Sequence, residues 1–325
     1  MIIGAAEEAP ATMLAAHHIE FGAPLAVGEL PRPVPLPGEV RIKVAATSVN
    51  PVDMHTGRGN GYVQSMTLPL IPGWDVAGTV DAVGYGVARH RVGDPVFGLA
   101  RFPHPAGAYA EYVTAPAHHV VRAPAGLTMV EAAALPLCGL TAWQMLRAAK
   151  VERGKRVLIN GASGGVGHLA VQIARALDAE VVALARPEHH SLVTSWGADD
   201  CVDYRDAAAV AAIDMADALC DVVGGDLALR LFDRIAPGGC AALALGWAVP
   251  DYRAEADARG IDAVSCLVDP DPVGLRALSE LAEAGSLRVH IGATFTLAEA
   301  NRAQQWVTSR SGIGKAVIVM PDSAE

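Results

Sequence analysis

Residues 158–177 read LINGASGGVGHLAVQIARAL, and this stretch decides the fold. An apolar run ends at Asn160. Gly161, Gly164, Gly165 and Gly167 then crowd into seven positions, and an amphipathic helix pattern follows from His168. Glycines between a strand and a helix permit a tight turn and a close approach of backbone to a ligand. The helix start offers N–H groups without intrahelical partners and the positive end of the helix dipole, which together suit phosphate. Ala162-Ser163-Gly164-Gly165-Val166-Gly167 is the dinucleotide fingerprint with alanine in its first glycine position.

The flanking sequence gives that turn its context. RVLINGA is a short buried strand, HLAVQIARALDA a helix and EVVALA a second strand. HHSLVTSWGA reads as a helix stopped by Gly197, and DCVDY as a third strand. LCDVVGG, GCAALALG and IDAVSCLV continue the series. Strands alternating with helices at this spacing predict a parallel sheet covered on both faces. Upstream the pattern changes. EVRIKVAATSVN alternates apolar and polar residues with period two, as a half-buried strand does, and the region from Leu14 to about Ala125 is β-rich. TMVEAAALPLCGLTAWQML reads as helical pieces separated at Pro136 and Gly139. The predicted fold is α/β: a Rossmann-type doubly wound parallel sheet plus a second, β-rich domain.

The residue after the second strand separates the two nicotinamide cofactors. An acid there binds the ribose hydroxyls of NAD. Here VVALARPEHH places Arg186 at that point, and a guanidinium suits a 2′-phosphate. NADPH (NADP+) is the expected cofactor.

Bulk properties narrow the function classes. With 52% hydrophobic and 18% charged residues, a chain of 325 residues can bury two cores and is too apolar for disorder. A net charge of −10 repels a phosphate polymer, so nucleic acid is not an expected partner. Cys138, Cys201, Cys220, Cys240 and Cys266 show no zinc-knuckle or dithiol spacing, as expected for reduced thiols. The N-terminus has Glu7 and Glu8 and no early Lys or Arg, unlike a secretory signal. The most apolar stretch, 132–146, is broken by Pro136 and Gly139 and too short to span a bilayer. A cytoplasmic protein with no membrane partner is expected.

From Met13 onward the chain resembles the medium-chain dehydrogenase/reductase superfamily, and within it the zinc-independent NADPH:quinone oxidoreductase-like branch. The segments that carry the resemblance are SVNPVDMHTGRG, PLIPGWDVAGTVDAVGYGV, VGDPVFG, GAYAEYV, AAALPLCGLTAWQML, NGASGGVGHLAVQIA, WGADDCVDYRD, DVVGGDLALRLFDRIAPGG and GIGKAVIVM. The resemblance implies a GroES-like catalytic domain split in sequence, residues 13–127 and 270–325, around a Rossmann domain, residues 128–269. Residues 1–12 are expected to form a flexible extension. An active site between the domains and a homodimer are also implied.

The zinc-dependent members carry a Cys after the first alternating strand and a Gly-His-Glu. Here Asn50-Pro51-Val52-Asp53 has no Cys, and Gly73-Trp74-Asp75 has Trp in place of His. Indole is a donor only and cannot bind zinc. Two missing ligands defeat a site built from three, so no metal is expected. His17-His18, His118-His119 and His189-His190 do not rescue it, since neighbouring side chains on a strand point apart. Without a Lewis acid, hydride can still reach an acceptor that is already electrophilic.

The resemblance assigns Asn50, Asp53 and Tyr62 to the catalytic region. It assigns Thr141, Tyr204, Gly246 and Lys315 to the cofactor, beside residues 162–167 and Arg186. Some related enoyl reductases carry a Tyr directly after the Asn as proton donor; here that place is Pro51. Solvent is therefore the expected proton source. Three functions fit: reduction of a quinone or other conjugated carbonyl, reduction of an enone C=C bond by a biosynthetic enoyl/ene reductase, and NADPH binding without turnover.

Overall fold

A computed structural model describes residues 11–309 and 312–321. The predicted flexible extension, residues 1–12, lies largely outside them. At its end, Thr12 is not extension but the first residue of a strand.

The strands are, in chain order, β1 (Thr12–His17), β2 (Ala26–Pro31), β3 (Glu39–Val49), β4 (Asp75–Val83), β5 (Pro95–Leu99), β6 (Tyr112–Pro116), β7 (Val120–Arg122), β8 (Arg156–Asn160), β9 (Glu180–Leu184), β10 (Asp200–Val202), β11 (Ala216–Asp221), β12 (Ile235–Leu243), β13 (Asp262–Ser265), β14 (Ile291–Thr296) and β15 (Lys315–Val319). They sort into two compact units. Among the described residues, one comprises 11–123, 293–309 and 316–321; the other comprises 124–292 and 312–315.

The first unit is built on a sheet ordered β14-β15-β3-β4-β5-β7, with β6 on β3 and a separate β1-β2 hairpin. The period-two pattern of β3 turns Val40, Ile42 and Val44 into a core shared with Val76, Val80, Val96 and Val113. The second unit carries a parallel sheet ordered β10-β9-β8-β11-β12-β13. Its central strands are buried on both faces, which is why Val157, Leu158 and Ile159 form an unbroken apolar run with no exposed surface. The order reverses between β8 and β11, and α/β sheets bind ligands at the carboxyl ends of strands at such a point.

Two expectations need correction. Gly139 does not separate helical pieces, because it lies inside one helix, Pro136–Ala148, that begins at its proline. A Cβ at Gly139 would come within 2.8 Å of Leu278 Cδ1, on the helix Pro272–Glu283. That glycine is a packing surface between two helices. The packing of these two helices, with the Gln172–Arg288 and His168–His290 hydrogen bonds, goes with residues 270–292 falling in the nucleotide-type unit rather than the β-rich one. Among the described residues, no helix is long and apolar enough to cross a membrane.

Candidate functional site

The fingerprint folds as a strand, a glycine turn and a helix. β8 ends at Asn160, Gly161 turns the chain with φ of +82°, and the helix Gly167–Ala176 starts six residues on. A Cβ at Gly167 would collide with the Gly161 carbonyl and the Ala162 Cα, so the helix start sits directly on the strand end. Ala162 is fully buried and Val166 occupies the N-cap. Gly164 and Gly165 keep the upper turn free of side chains. A Cβ at Gly165 would come within 3.0 Å of Lys315 Cδ and 3.2 Å of Cys138 Sγ.

Two histidines brace this turn. His168 Nδ1 lies 2.9 Å from the Gly164 carbonyl, and its Nε2 accepts the His290 N–H at 3.2 Å. An acceptor at Nε2 places the proton of the neutral ring on Nδ1. Burial, with the nearby charge of Lys315, lowers its pKa from 6.5 to about 4. His189 Nδ1 lies 3.0 Å from Ser163 Oγ. His189 carries no signal in sequence, because it meets the turn only through folding; His168 follows the turn directly, but its bond to the distant His290 N–H is equally invisible there. Asn160 and Asp221 were missed for the same reason. Their side chains meet across β8 and β11 at 2.5 Å, Asp221 also accepts the Gly224 N–H, and burial pushes its carboxyl up.

Arg186 follows β9 as expected and pairs with Glu188 at 3.4 Å. Glu188 also lies 4.0 Å from Arg205, which pairs with Asp203 at 2.9 Å. A second guanidinium, next to Tyr204, thus joins Arg186 at the ends of β9 and β10. Tyr204 itself is half-buried against the core of the unit. Lys315 is buried, and its Nζ donates to Cys138 Sγ at 3.2 Å. The Thr141 hydroxyl donates to the Leu137 carbonyl within its own helix. Gly246 is buried in a short turn after β12, where a Cβ would meet Ser265 Oγ at 2.5 Å.

In the β-rich unit, Asn50 follows β3 directly and caps the helix Pro51–Gly57. Its backbone N–H donates to Asp53 Oδ2 and its amide Nδ2 to Asp75 Oδ2, each at 2.8 Å. The Tyr109 hydroxyl donates to the same Asp53 oxygen at 2.8 Å, and Ser48 donates to Asp75. All five residues are buried. Burial and the Asp53 charge raise the Tyr109 pKa well above its usual value. Asn50 and Asp53 are therefore committed to an internal network rather than presented at a surface. Beside it lies a cavity of about 10 Å3 lined by Asp53, Thr56, Leu70, Ile71, Trp74 and Ala106, about enough for one water. Tyr62 and Trp74 each meet the Phe102 ring edge-on, with centroids 5.3 Å apart, so three aromatics form a row. Burial raises the Tyr62 pKa above 10.0.

The donor set around Trp74 does not suit zinc. The indole N–H donates to the His104 carbonyl at 2.8 Å, and Asp75 already accepts from Ser48 and Asn50. Among the described residues, no three His, Cys, Asp or Glu side chains gather where they could hold a metal ion. One detail differs from expectation: the His118 and His119 rings meet edge-on at 4.4 Å, because they sit in a turn and not on a strand.

Comparison with known proteins fits this architecture. Residues 36–125 match the alcohol dehydrogenase GroES-like domain, and residues 196–318 match a family described as zinc-binding dehydrogenase. The quinone oxidoreductase structure from Coxiella burnetii is 32% identical, with a TM-score of 0.90, over 95% of this chain and 99% of that one. A mycobacterial protein solved with NADPH is 30% identical, with a TM-score of 0.83, over 94% and 99%. Human mitochondrial NAD(P)H oxidoreductase RTN4IP1 is 37% identical over 187 residues, which cover 52% of this chain and 47% of that protein. The chain spans about half the length of the curated relatives it matches. It belongs to the medium-chain dehydrogenase/reductase superfamily, in its quinone oxidoreductase-like branch.

Proposed function

We propose that this protein is a zinc-independent, NADPH-dependent oxidoreductase that reduces quinones or other conjugated carbonyl acceptors. The observation that carries the reading is the glycine turn of residues 161–167 with Arg186 at the neighbouring strand end. The turn and the helix start would hold the pyrophosphate, and Arg186 the phosphate on the adenosine ribose. Lys315, beneath Gly165, adds a positive charge to that floor. When bound, the reduced nicotinamide supplies hydride.

In the β-rich unit, the Tyr62–Phe102–Trp74 row offers a planar acceptor apolar contact. Tyr62 keeps its proton through the physiological range and can hydrogen-bond an oxygen that gains negative charge. Asn50 and Asp53 hold the loop in place. Solvent returns the proton. The donor set at Trp74 supports chemistry without zinc. The edge strand β13 is the joint proposed for a homodimer, and the cytoplasm the proposed location.

The test is nucleotide oxidation by chelator-treated protein with a panel of quinones and enones, NADPH and NADH run side by side. Turnover of quinones with a strong NADPH preference is the expected result. Turnover confined to enones, with a saturated product, would reassign the protein as an ene reductase. Loss of activity with chelator and recovery with zinc would overturn the metal-free reading.

A further inference from the structure

The loop that carries Arg186 is tied to the glycine turn by one side chain. Pro187 holds the backbone for a single 3-10 turn, Pro187–His189, and the His189 N–H donates to the Arg186 carbonyl at 2.8 Å. His189 is buried, with 6% of the residue's surface exposed, and its ring reaches Ser163 Oγ across 26 positions of sequence. The Ser163 carbonyl accepts the Gly314 N–H at 3.1 Å, which anchors the backbone that carries the hydroxyl.

The charges around His189 balance. Its own segment brings Arg186, Glu188 and His190, whose Nε2 lies 3.1 Å from the Ala185 carbonyl. The end of β10 brings Asp203 and Arg205, joined to Glu188. Two guanidiniums face two carboxylates. Burial and the Arg186 charge lower the pKa of His189, so the ring is neutral at pH 7 in the free protein. A phosphate dianion arriving at Arg186 upsets that balance, and opposite charge favours the imidazolium.

We propose that His189 is a proton-accepting positioning residue of the nucleotide site: it ties the Arg186 loop to Ser163 and takes up a proton when a nucleotide with a ribose phosphate binds. Nδ1–H donates to Ser163 Oγ, and Nε2 takes the proton from solvent. The proposal rests on the NADPH reading above. It goes beyond that reading by coupling nucleotide choice to pH. Linkage requires that affinity for NADPH rise relative to NADH as pH falls through the raised pKa.

The test is calorimetric titration of the full chain with NADPH and with NADH, in buffers of different ionisation enthalpy, plus NMR titration of the His189 ring. NADPH should raise the ring pKa by about one unit, and NADH should leave it in place. His189→Asn keeps an amide at the Nδ1 position; it should hold the turn but lose the extra proton uptake, while the phosphate's own ionisation persists. His189→Gln loses the tie to Ser163 and should weaken NADPH binding by about tenfold. NADPH preference without proton uptake, or uptake that survives in His189→Asn, would overturn the proposal and leave the cofactor reading standing. Equal affinity for NADPH and NADH would overturn both.

Discussion

Two strand-to-helix turns occupy the two units, and they are made from opposite materials. The turn after β8 is emptied of side chains: Gly161, Gly164, Gly165 and Gly167 let backbone approach backbone. The turn after β3 is filled with them: Asn50 and Asp53 are buried and hydrogen-bonded to Ser48, Asp75 and Tyr109. An empty turn leaves N–H groups for a ligand's phosphate. A filled turn ties its polar groups to one another and stiffens the loop, and each member then matters to the others.

The sharpest way to break this contrast is to fill the empty turn. Gly167→Ala sets a Cβ against backbone at Gly161 and Ala162, atoms that cannot rotate away. Overpacking of about 3 kcal/mol should weaken NADPH binding by about 100-fold, read by nucleotide fluorescence. Gly164→Ala, whose nearest neighbour would be 3.3 Å away, should change affinity only a few-fold. Equal effects at both positions would remove the argument from close approach.

The braces of the empty turn can be tested by pH. His168 is neutral in the fold because its pKa falls from 6.5 to about 4, whereas the unfolded ring charges below about 6.5. Its contribution is present above pH 6.5 and is lost as pH falls through about 4. Over that window the loss should reach about 3 kcal/mol, seen as a falling denaturation midpoint. His168→Asn should flatten the profile. An unchanged slope would mean that the ring already titrates in the native state.

The filled turn is tested by removing one hydroxyl. Tyr109→Phe leaves the buried Asp53 carboxylate short of a donor. The expected cost is about 1–3 kcal/mol, a drop of several degrees in Tm. Ser65→Ala, at an exposed hydroxyl, should do nothing measurable. Zinc uptake is where no gain is expected, at Trp74→His, although trimming this buried ring should itself lower stability. Restoring one family ligand does not complete a three-ligand site, so the variant should take up no stoichiometric zinc by elemental analysis.

Much of the nucleotide unit was legible because its signals are local. The strand and helix periods, the glycine cluster and Arg186 at the strand end lie within about thirty consecutive residues. Gly139 was misread because its reason is Leu278, on another helix. The boundary at residues 270–292 shifted for a like reason, since Arg288 and His290 bond to Gln172 and His168 far back in the chain. Arg205 had a faint signal, a second cation at the end of the third strand, but only the pairing through Glu188 brings it to Arg186.

By itself the sequence determined the α/β class, the glycine turn, Arg186 in its place and Trp74 where a metal ligand would stand, because each depends on residue type at short spacing. Only the tertiary structure decided what those residues touch: His168 and His189 on the turn, Cys138 on Lys315, and Asp75 on Asn50. Those partners lie between 4 and 177 positions apart, and apart from His168 they meet only after the chain has packed. Hydrogen bonds between such distant partners are properties of that packing, and no local pattern encodes them.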